Sequence, residues 1–478
     1  MKNSEEEHAM QNGIQGDKKG YEDALEYVNP YSNPSDLKIT DIRFTNIGGA
    51  PYPLTLVKVY TNQGIVGLGE QRDISSPTYG KFLKSRLLGE NPCDIDRLFR
   101  RIKQFGFHGR QGGGVSGIEV ALWDIAGKAF GIPVYRMLGG AFRRKIRIYC
   151  DTDVDLSEDR SAGEQMGLAL KKRMEKGYTM LKMDVGINLL NGIEDALTYP
   201  LHSQEAAKAV FKKSRELQND PDADMLEKFY WRNRSYDYTN IMHPFTGVQI
   251  TEKGLDYLEQ YVADVRATLG YKIPLAADHL GFVGVEEIIK VARRFEKYNL
   301  AWIEDCIPWQ YTDQWKRLSE ATAIPLCVGE DQYLKESFLP LFDSGAISVV
   351  HPDPLTLGGI YETKKLGDIA QEYGIRMALH MAEGPVGAMS AATIGAATEN
   401  FLAMEFHAND VPWWDDMVVF KDGPIIKNGF IDISDRPGLG IDDYNDEVLA
   451  EHVDPRQPGV WLSTEEWDSE WCRDRFFN

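Results

Sequence analysis

The sequence predicts an α/β protein in which a compact α+β domain precedes a parallel (β/α) barrel. Three observations carry this. From residue 146 onward, eight short apolar runs alternate with amphipathic helical segments, the pattern of parallel strands covered by helices. Ahead of them, residues 37–145 read as three strands and then three helices, the order of an α+β unit. Ionisable residues then recur just past six consecutive runs, at the strand ends where a barrel carries its chemistry.

Residues 1–36 read as a polar extension, loosely ordered or packed on a neighbouring subunit. In the first domain the runs 38–46 and 54–61 are joined by Gly48-Gly49-Ala50-Pro51, and Asn62-Gln63-Gly64 turns the chain into 65–70. That is an antiparallel three-stranded meander. Helices are expected at about 77–90, 93–106 and 115–129; in the last, Ile118, Ala121, Leu122, Ile125 and Ala126 share one stripe. The barrel, 146–412, takes its strands from 146–150, 179–183, 273–277, 300–303, 324–328, 347–350, 376–379 and 401–404. Between the second and third lies an acidic, aromatic-rich insertion, 188–255, of a length typical of a lid, an oligomer contact or a disordered loop. From about 413 to 478 turns and short strands return, and this tail is expected to complete the first domain.

Composition removes several function classes. A formal charge of −20 argues against nucleic acid or an anionic membrane as partner, since both need a basic surface. It leaves room for an anionic small substrate, because one metal ion or lysine reverses the field inside a pocket. The opening residues resemble no signal peptide and no apolar run is long enough to span a bilayer. Cysteines 93, 150, 306, 327 and 472 are odd in number and without CxxC spacing, which points to reduced thiols in a cytoplasmic protein.

Just past the runs stand Asp278, Glu304, Glu330, Asp353, His380 and Glu405, at gaps of 26, 26, 23, 27 and 25 residues. Asp278, Glu304 and Glu330 come from adjacent strands, and three converging carboxylates repel one another unless a cation lies among them. Oxygen ligands favour a hard ion, and Mg²⁺ leaves places for water and substrate. Asp305 and Asp331 follow two of these acids directly, so the ligand choice stays open at this level. His380 and Asp353 stand on neighbouring strands. A carboxylate beside an imidazole fixes its tautomer and raises its basicity, which suits proton abstraction. His351, two residues before Asp353, is the rival imidazole. Lys182, ending the second strand, offers the positive charge that an anionic substrate needs.

At these residues the chain resembles the enolase superfamily, in its mandelate racemase subgroup of acid-sugar dehydratases and racemases. The likeness covers about residues 38–445 and includes Val115-Ser116-Gly117-Ile118-Glu119-Val120-Ala121-Leu122-Trp123-Asp124-Ile125-Ala126-Gly127-Lys128, Trp302-Ile303-Glu304-Asp305, Gly358-Gly359 and Pro437-Gly438-Leu439-Gly440. It implies a (β/α)7β TIM-like barrel under an α+β capping domain, with Asp278, Glu304 and Glu330 as Mg²⁺ ligands, Asp353–His380 as the base dyad and Glu405 contacting the substrate carboxylate. Sites of this superfamily pair a Lys or His base with Mg²⁺ that stabilises the intermediate, and the resemblance implies that mechanism here.

Racemases of the subgroup carry Lys-x-Lys on the second strand, and here the second position is Asp184. Some dehydratases place an acid histidine two residues past the first metal ligand; this chain has Leu280 there and His279 directly beside Asp278. His279 is therefore a candidate acid, and return of the proton by His380 itself is the alternative. The expectation is dehydration of an acid sugar to a 2-keto-3-deoxy acid. The competing readings are a racemase or epimerase and a non-catalytic metal-binding homologue. A homo-oligomer is expected from the resemblance.

Overall fold

A computed structural model describes residues 32–107, 112–152, 154, 160–190, 193–198, 204–239, 249–280, 283–454 and 457–471. Most of the expected extension, parts of the insertion and Cys472 lie outside the described residues. Cys93, Cys150, Cys306 and Cys327 are free thiols. Among the described residues no helix is long and apolar enough to cross a membrane.

The first domain opens with the meander β1 (Ile39–Ile47), β2 (Leu54–Thr61) and β3 (Val66–Glu70), antiparallel throughout, with Phe44 opposite Val57 and Val57 opposite Gly69. The helix expected over 77–90 is broken into α1 (Pro77–Lys81) and a 3-10 turn, Lys84–Arg86, where Lys84 turns inward to Asp468, 2.6 Å away. The helix expected from 93 begins later, as α2 (Ile95–Ile102), because the Asn91 side chain accepts from the Cys93 N–H and makes a turn first. α3 (Val115–Phe130) was expected to bury one stripe. It is buried almost all round, between the meander and the barrel, and ends at the left-handed Gly131. A short α4 (Val134–Met137) leads to the barrel.

Eight parallel strands then close on themselves: β4 (Lys145–Cys150), β5 (Leu181–Asp184), β6 (Leu275–Asp278), β7 (Ile303–Glu304), β8 (Leu326–Val328), β9 (Val349–Val350), β10 (Arg376–Leu379) and β11 (Phe401–Phe406), the last pairing with the first. Helices α5 (Ala162–Glu175), α8 (Glu252–Leu269), α9 (Val285–Phe295), α10 (Thr312–Ala321), α11 (Leu339–Ser344), α12 (Pro354–Leu357), α13 (Ile360–Glu372) and α14 (Pro385–Ala397) cover it. The insertion contributes a packed helix pair, α6 (Gln204–Asn219) and α7 (Met225–Thr239).

Inside the barrel, Tyr149, Met180, Ala276, Trp302, Cys327, Val349, Ala378 and Ala403 form a core of their own, one residue from each strand or from the position just before it. Side chains in a strand alternate with period two. The residues two steps farther along therefore share the inward face: Asp151, Lys182, Asp278, Glu304, Gly329, His351, His380 and Glu405. An apolar plug thus carries a polar layer directly above it.

Carboxylates of the capping domain lock it to the barrel. Glu70 accepts from the N–H groups of Gly384, Val386 and Gly387 at the start of α14, at 2.9, 3.1 and 3.0 Å. Glu119 does the same for Ile360 and Tyr361 at the start of α13. Both complement a helix N-terminus, where unpaired N–H groups favour negative charge. Gly359 is needed there: its φ is +94°, and a Cβ would lie 2.0 Å from Glu119 Oε2.

The tail adds β12 (Val418–Val419), β13 (Ile426–Lys427), β14 (Phe430–Asp432) and β15 (Asp443–Tyr444), then α15 (Asp446–His452) and α16 (Glu465–Trp471). β14 extends the sheet antiparallel to β4. Farther on, Lys58 pairs with Asp443 at 2.9 Å and the Trp461 N–H donates to Thr45 at 2.8 Å, which places these later residues on the meander.

Candidate active site

The polar layer is organised around one buried lysine. Lys182 Nζ lies 2.6 Å from Asp278 Oδ2, 3.1 Å from Glu304 Oε1 and 2.5 Å from Glu405 Oε1. Burial opposes its charge, yet the three acids together hold it well above the ordinary lysine range. One ammonium does not balance three carboxylates. Burial and the neighbouring Asp278 push Glu304 well above the usual carboxylate range, and burial with Glu330 does the same to Asp305. Ligand oxygens of Asp278, Glu304 and Asp305 all lie within 4.8 Å of one another. A donor set made of oxygens, buried and short of positive charge, fits a hard divalent cation.

Glu330 stands one residue past its strand's inward position, Gly329, and turns to other partners. Its Oε2 is 3.3 Å from His380 Nε2 and its Oε1 is 3.4 Å from Arg72 Nη2. These cations outweigh burial and lower its pKa. Asp305 thus lies in the tight cluster with Asp278 and Glu304, and Glu330 stands beside the imidazole.

His380 Nδ1 lies 2.7 Å from Asp353 Oδ2. A carboxylate only accepts, so Asp353 calls for the proton on Nδ1, while Nε2 faces the Glu330 carboxylate at 3.3 Å. Asp353 is also the N-cap of α12, accepting from the Leu355 and Thr356 N–H groups, so backbone fixes the carboxylate that fixes the ring. The same oxygen accepts from Arg72, whose Nη1 is 2.5 Å from His380 Nδ1. Arg72 comes from the capping domain just past β3, and its Nε meets Asp73 at 2.9 Å. Asp353 is held below the usual carboxylate range because Arg72 and His380 outweigh its burial. Glu383, 3.7 Å from Arg72, is instead pushed well above that range by burial and by Asp353.

His351 is fully enclosed. Its Nδ1 is 3.2 Å from Glu304 Oε1, its Nε2 is 3.2 Å from Glu405 Oε2, and Tyr149 closes on the same nitrogen. It buttresses two acids and has no opening to a substrate. Glu405 is likewise buried, between Lys182, His351, Tyr149 and His407, so the oxygens expected to meet substrate are already held by protein. Lys182 and His407 outweigh its burial and hold it well below its ordinary value.

His279 follows the last residue of β6 with φ +60°, so strand alternation has ended and its ring leaves the strand face. Its Nε2 is 3.6 Å from Asp184 Oδ1. Asp278 beside it raises His279 to about 9, and burial with Asp151 raises Asp184 to about 7. Three residues at this mouth escaped the sequence reading: Arg72, Asp151 and His407. Asp151 and His407 obey the period-two rule, standing two steps beyond Tyr149 and Glu405; Arg72 lies in a capping loop that has no period.

Comparison with known proteins gives the family of the chain. Residues 38–139 match the mandelate racemase/muconate lactonizing enzyme N-terminal domain, and 233–447 match the enolase C-terminal domain-like family. A D-xylonate dehydratase of Haloferax volcanii is 30% identical over 439 residues, spanning 90% of this chain and 93% of that protein. A D-galactonate dehydratase of Pectobacterium atrosepticum is 25% identical, over 91% of this chain and 100% of its own. A mandelate racemase/muconate lactonizing enzyme-like protein from Rubrobacter xylanophilus superposes with a TM-score of 0.71 at 28% identity, covering 89% of this chain and 100% of that one. With a relative this similar over nearly its whole length, the chain belongs to the mandelate racemase/muconate lactonizing enzyme family of the enolase superfamily.

Proposed function

We propose that the protein catalyses Mg²⁺-dependent dehydration of an acid sugar to a 2-keto-3-deoxy acid. The observation that carries this reading is the His380–Asp353 pair, 2.7 Å apart, facing a buried cluster of acids that lacks enough positive charge. Relatives named for D-xylonate and D-galactonate dehydration support the substrate class.

In this reading Asp278, Glu304 and Glu330 hold the ion, with Asp305 as the acid adjoining them. When bound, the ion would supply Lewis-acid stabilisation of charge developing on the substrate carboxylate. The chain's own residues do the rest. His380 Nε2 takes the proton from C2, Asp353 keeps the imidazole in the required tautomer, and Arg72 holds Asp353 ionised. Lys182 contributes positive charge beneath the carboxylate. Asp184 occupies the place where a racemase needs a second lysine, which favours loss of water over inversion.

The test is a screen of mono- and diacid sugars with Mg²⁺ in deuterated water, read for 2-keto acid and for deuterium at C2. Keto acid from one or more sugars is expected, with His380→Asn inactive. Inverted, C2-labelled acid without keto acid would establish a racemase instead, and unchanged turnover in His380→Asn would remove His380 as the base.

A further inference from the structure

We propose that His407 is the general acid of this reaction, protonating the hydroxyl that leaves C3; the assignment rests on the dehydratase reading above. His407 stands one residue past β11, two steps beyond Glu405. Its ring centroid lies 5.7 Å from that of His380 and 5.9 Å from that of Tyr52, so it sits between the base and a capping-domain loop. That spacing lets two imidazoles address adjacent carbons of one substrate.

The surroundings of His407 suit it to hold a proton. Nδ1 of His407 faces Asp151 Oδ2 at 3.4 Å and Nε2 faces Glu405 Oε1 at 3.2 Å. Carboxylates at both ring nitrogens favour the imidazolium, which is an acid. Lys182, which shares Glu405 with this ring, opposes that charge. His380 also has a carboxylate at each ring nitrogen, Asp353 2.7 Å from Nδ1 and Glu330 3.3 Å from Nε2, but differs in having the guanidinium of Arg72 2.5 Å from Nδ1. Glu405 and Asp151 draw His407 up to about 9 against the effect of burial.

The step balances without another reactant. His380 Nε2 removes the C2 proton, and the C2–H electron pair becomes the C2–C3 double bond as the C3–O bond breaks. The departing oxygen keeps the C–O pair, takes the proton of His407 and leaves as water. The enol then gains a proton at C3 and loses its hydroxyl proton, giving the 2-keto-3-deoxy acid. Solvent restores both imidazoles.

The experiment compares leaving groups in the full chain with Mg²⁺, using an acid sugar that the wild type dehydrates, D-xylonate first, and its 3-deoxy-3-fluoro analogue. Fluoride leaves without full protonation. His407→Gln is expected to slow loss of water about 10²–10⁴-fold but loss of fluoride less than about tenfold, whereas His380→Asn abolishes both. Asp151→Asn, which leaves the imidazole in place, should slow loss of water selectively as well. Equal losses for the two leaving groups, or dehydration by His407→Gln within about threefold of wild type, overturn the assignment. A wild-type enzyme that inverts C2 without losing water removes the dehydratase reading, and this assignment with it.

Discussion

The guanidinium of Arg72 donates to the carboxylate of Asp353, 281 positions later in the chain, and so joins the capping domain to the mouth of the barrel. Neither group is open to solvent. Arg72 also answers Asp73, Glu330 and Glu383, so its removal strands several buried acids. Arg72→Met should cost about 3–5 kcal/mol in urea unfolding, the penalty for leaving a buried charge uncompensated. It should also lower kcat, because Asp353 then loses the cation that keeps it ionised. A variant of wild-type stability would show that Arg72 is solvated in solution.

Metal binding should stabilise the protein. At a Mg²⁺ concentration about a hundred times Kd, linkage predicts about 2.7 kcal/mol of added stability, visible as a higher Tm. Asp278→Asn and Glu304→Gln should diminish that gain, and His380→Asn should retain it. A Tm indifferent to Mg²⁺ and to chelator would exclude the ion from the acidic cluster.

Turnover should fall as pH rises through about 9. His407 is drawn up to that value by Glu405 and Asp151, with Lys182 opposing; below it the imidazolium holds the proton it must give, and above it the proton is gone. Asp151→Asn removes one of the two attracting carboxylates and should move the alkaline limb of the kcat profile downward. An alkaline limb unmoved in Asp151→Asn would belong to another group.

Gly359→Ala should be destabilising although it adds only a methyl group. The φ of +94° disfavours any L side chain, at about 1–3 kcal/mol, and the new Cβ would strike Glu119, which caps α13. Thermal unfolding measures this directly. A Tm within experimental error of wild type would mean that Glu119 moves aside freely.

The barrel was legible because its strands repeat. Each apolar run marks a strand, and the residue beyond it marks the mouth, so Asp278, Glu304, Glu330, Asp353, His380 and Glu405 stand out at near-equal spacing. The runs begin a residue or two before some strands, as with 179–183 against Leu181–Asp184, because the first apolar residues still belong to the incoming loop. Period two also distinguishes depth, which spacing along the chain does not. It sets His351 in the sealed layer with Lys182 and Glu304, whereas Asp353, two steps on, reaches the ring of His380. His407 obeys the same rule beyond Glu405 but follows the last strand, where no further interval draws attention to it. Arg72 had no signal of this kind. Only the folded capping domain brings it to Asp353. The buried-all-round α3 escaped for a similar reason: its second apolar contact, with the barrel, is tertiary.

The most direct measurement is a crystal structure of the protein soaked with Mn²⁺, read by anomalous scattering at the manganese edge. One peak bonded by Asp278, Glu304 and Glu330, with His380 facing it across the mouth, is the expected result. A peak held by His380, Glu405 and His407 instead, or none in the barrel at saturating Mn²⁺, would contradict the proposed centre.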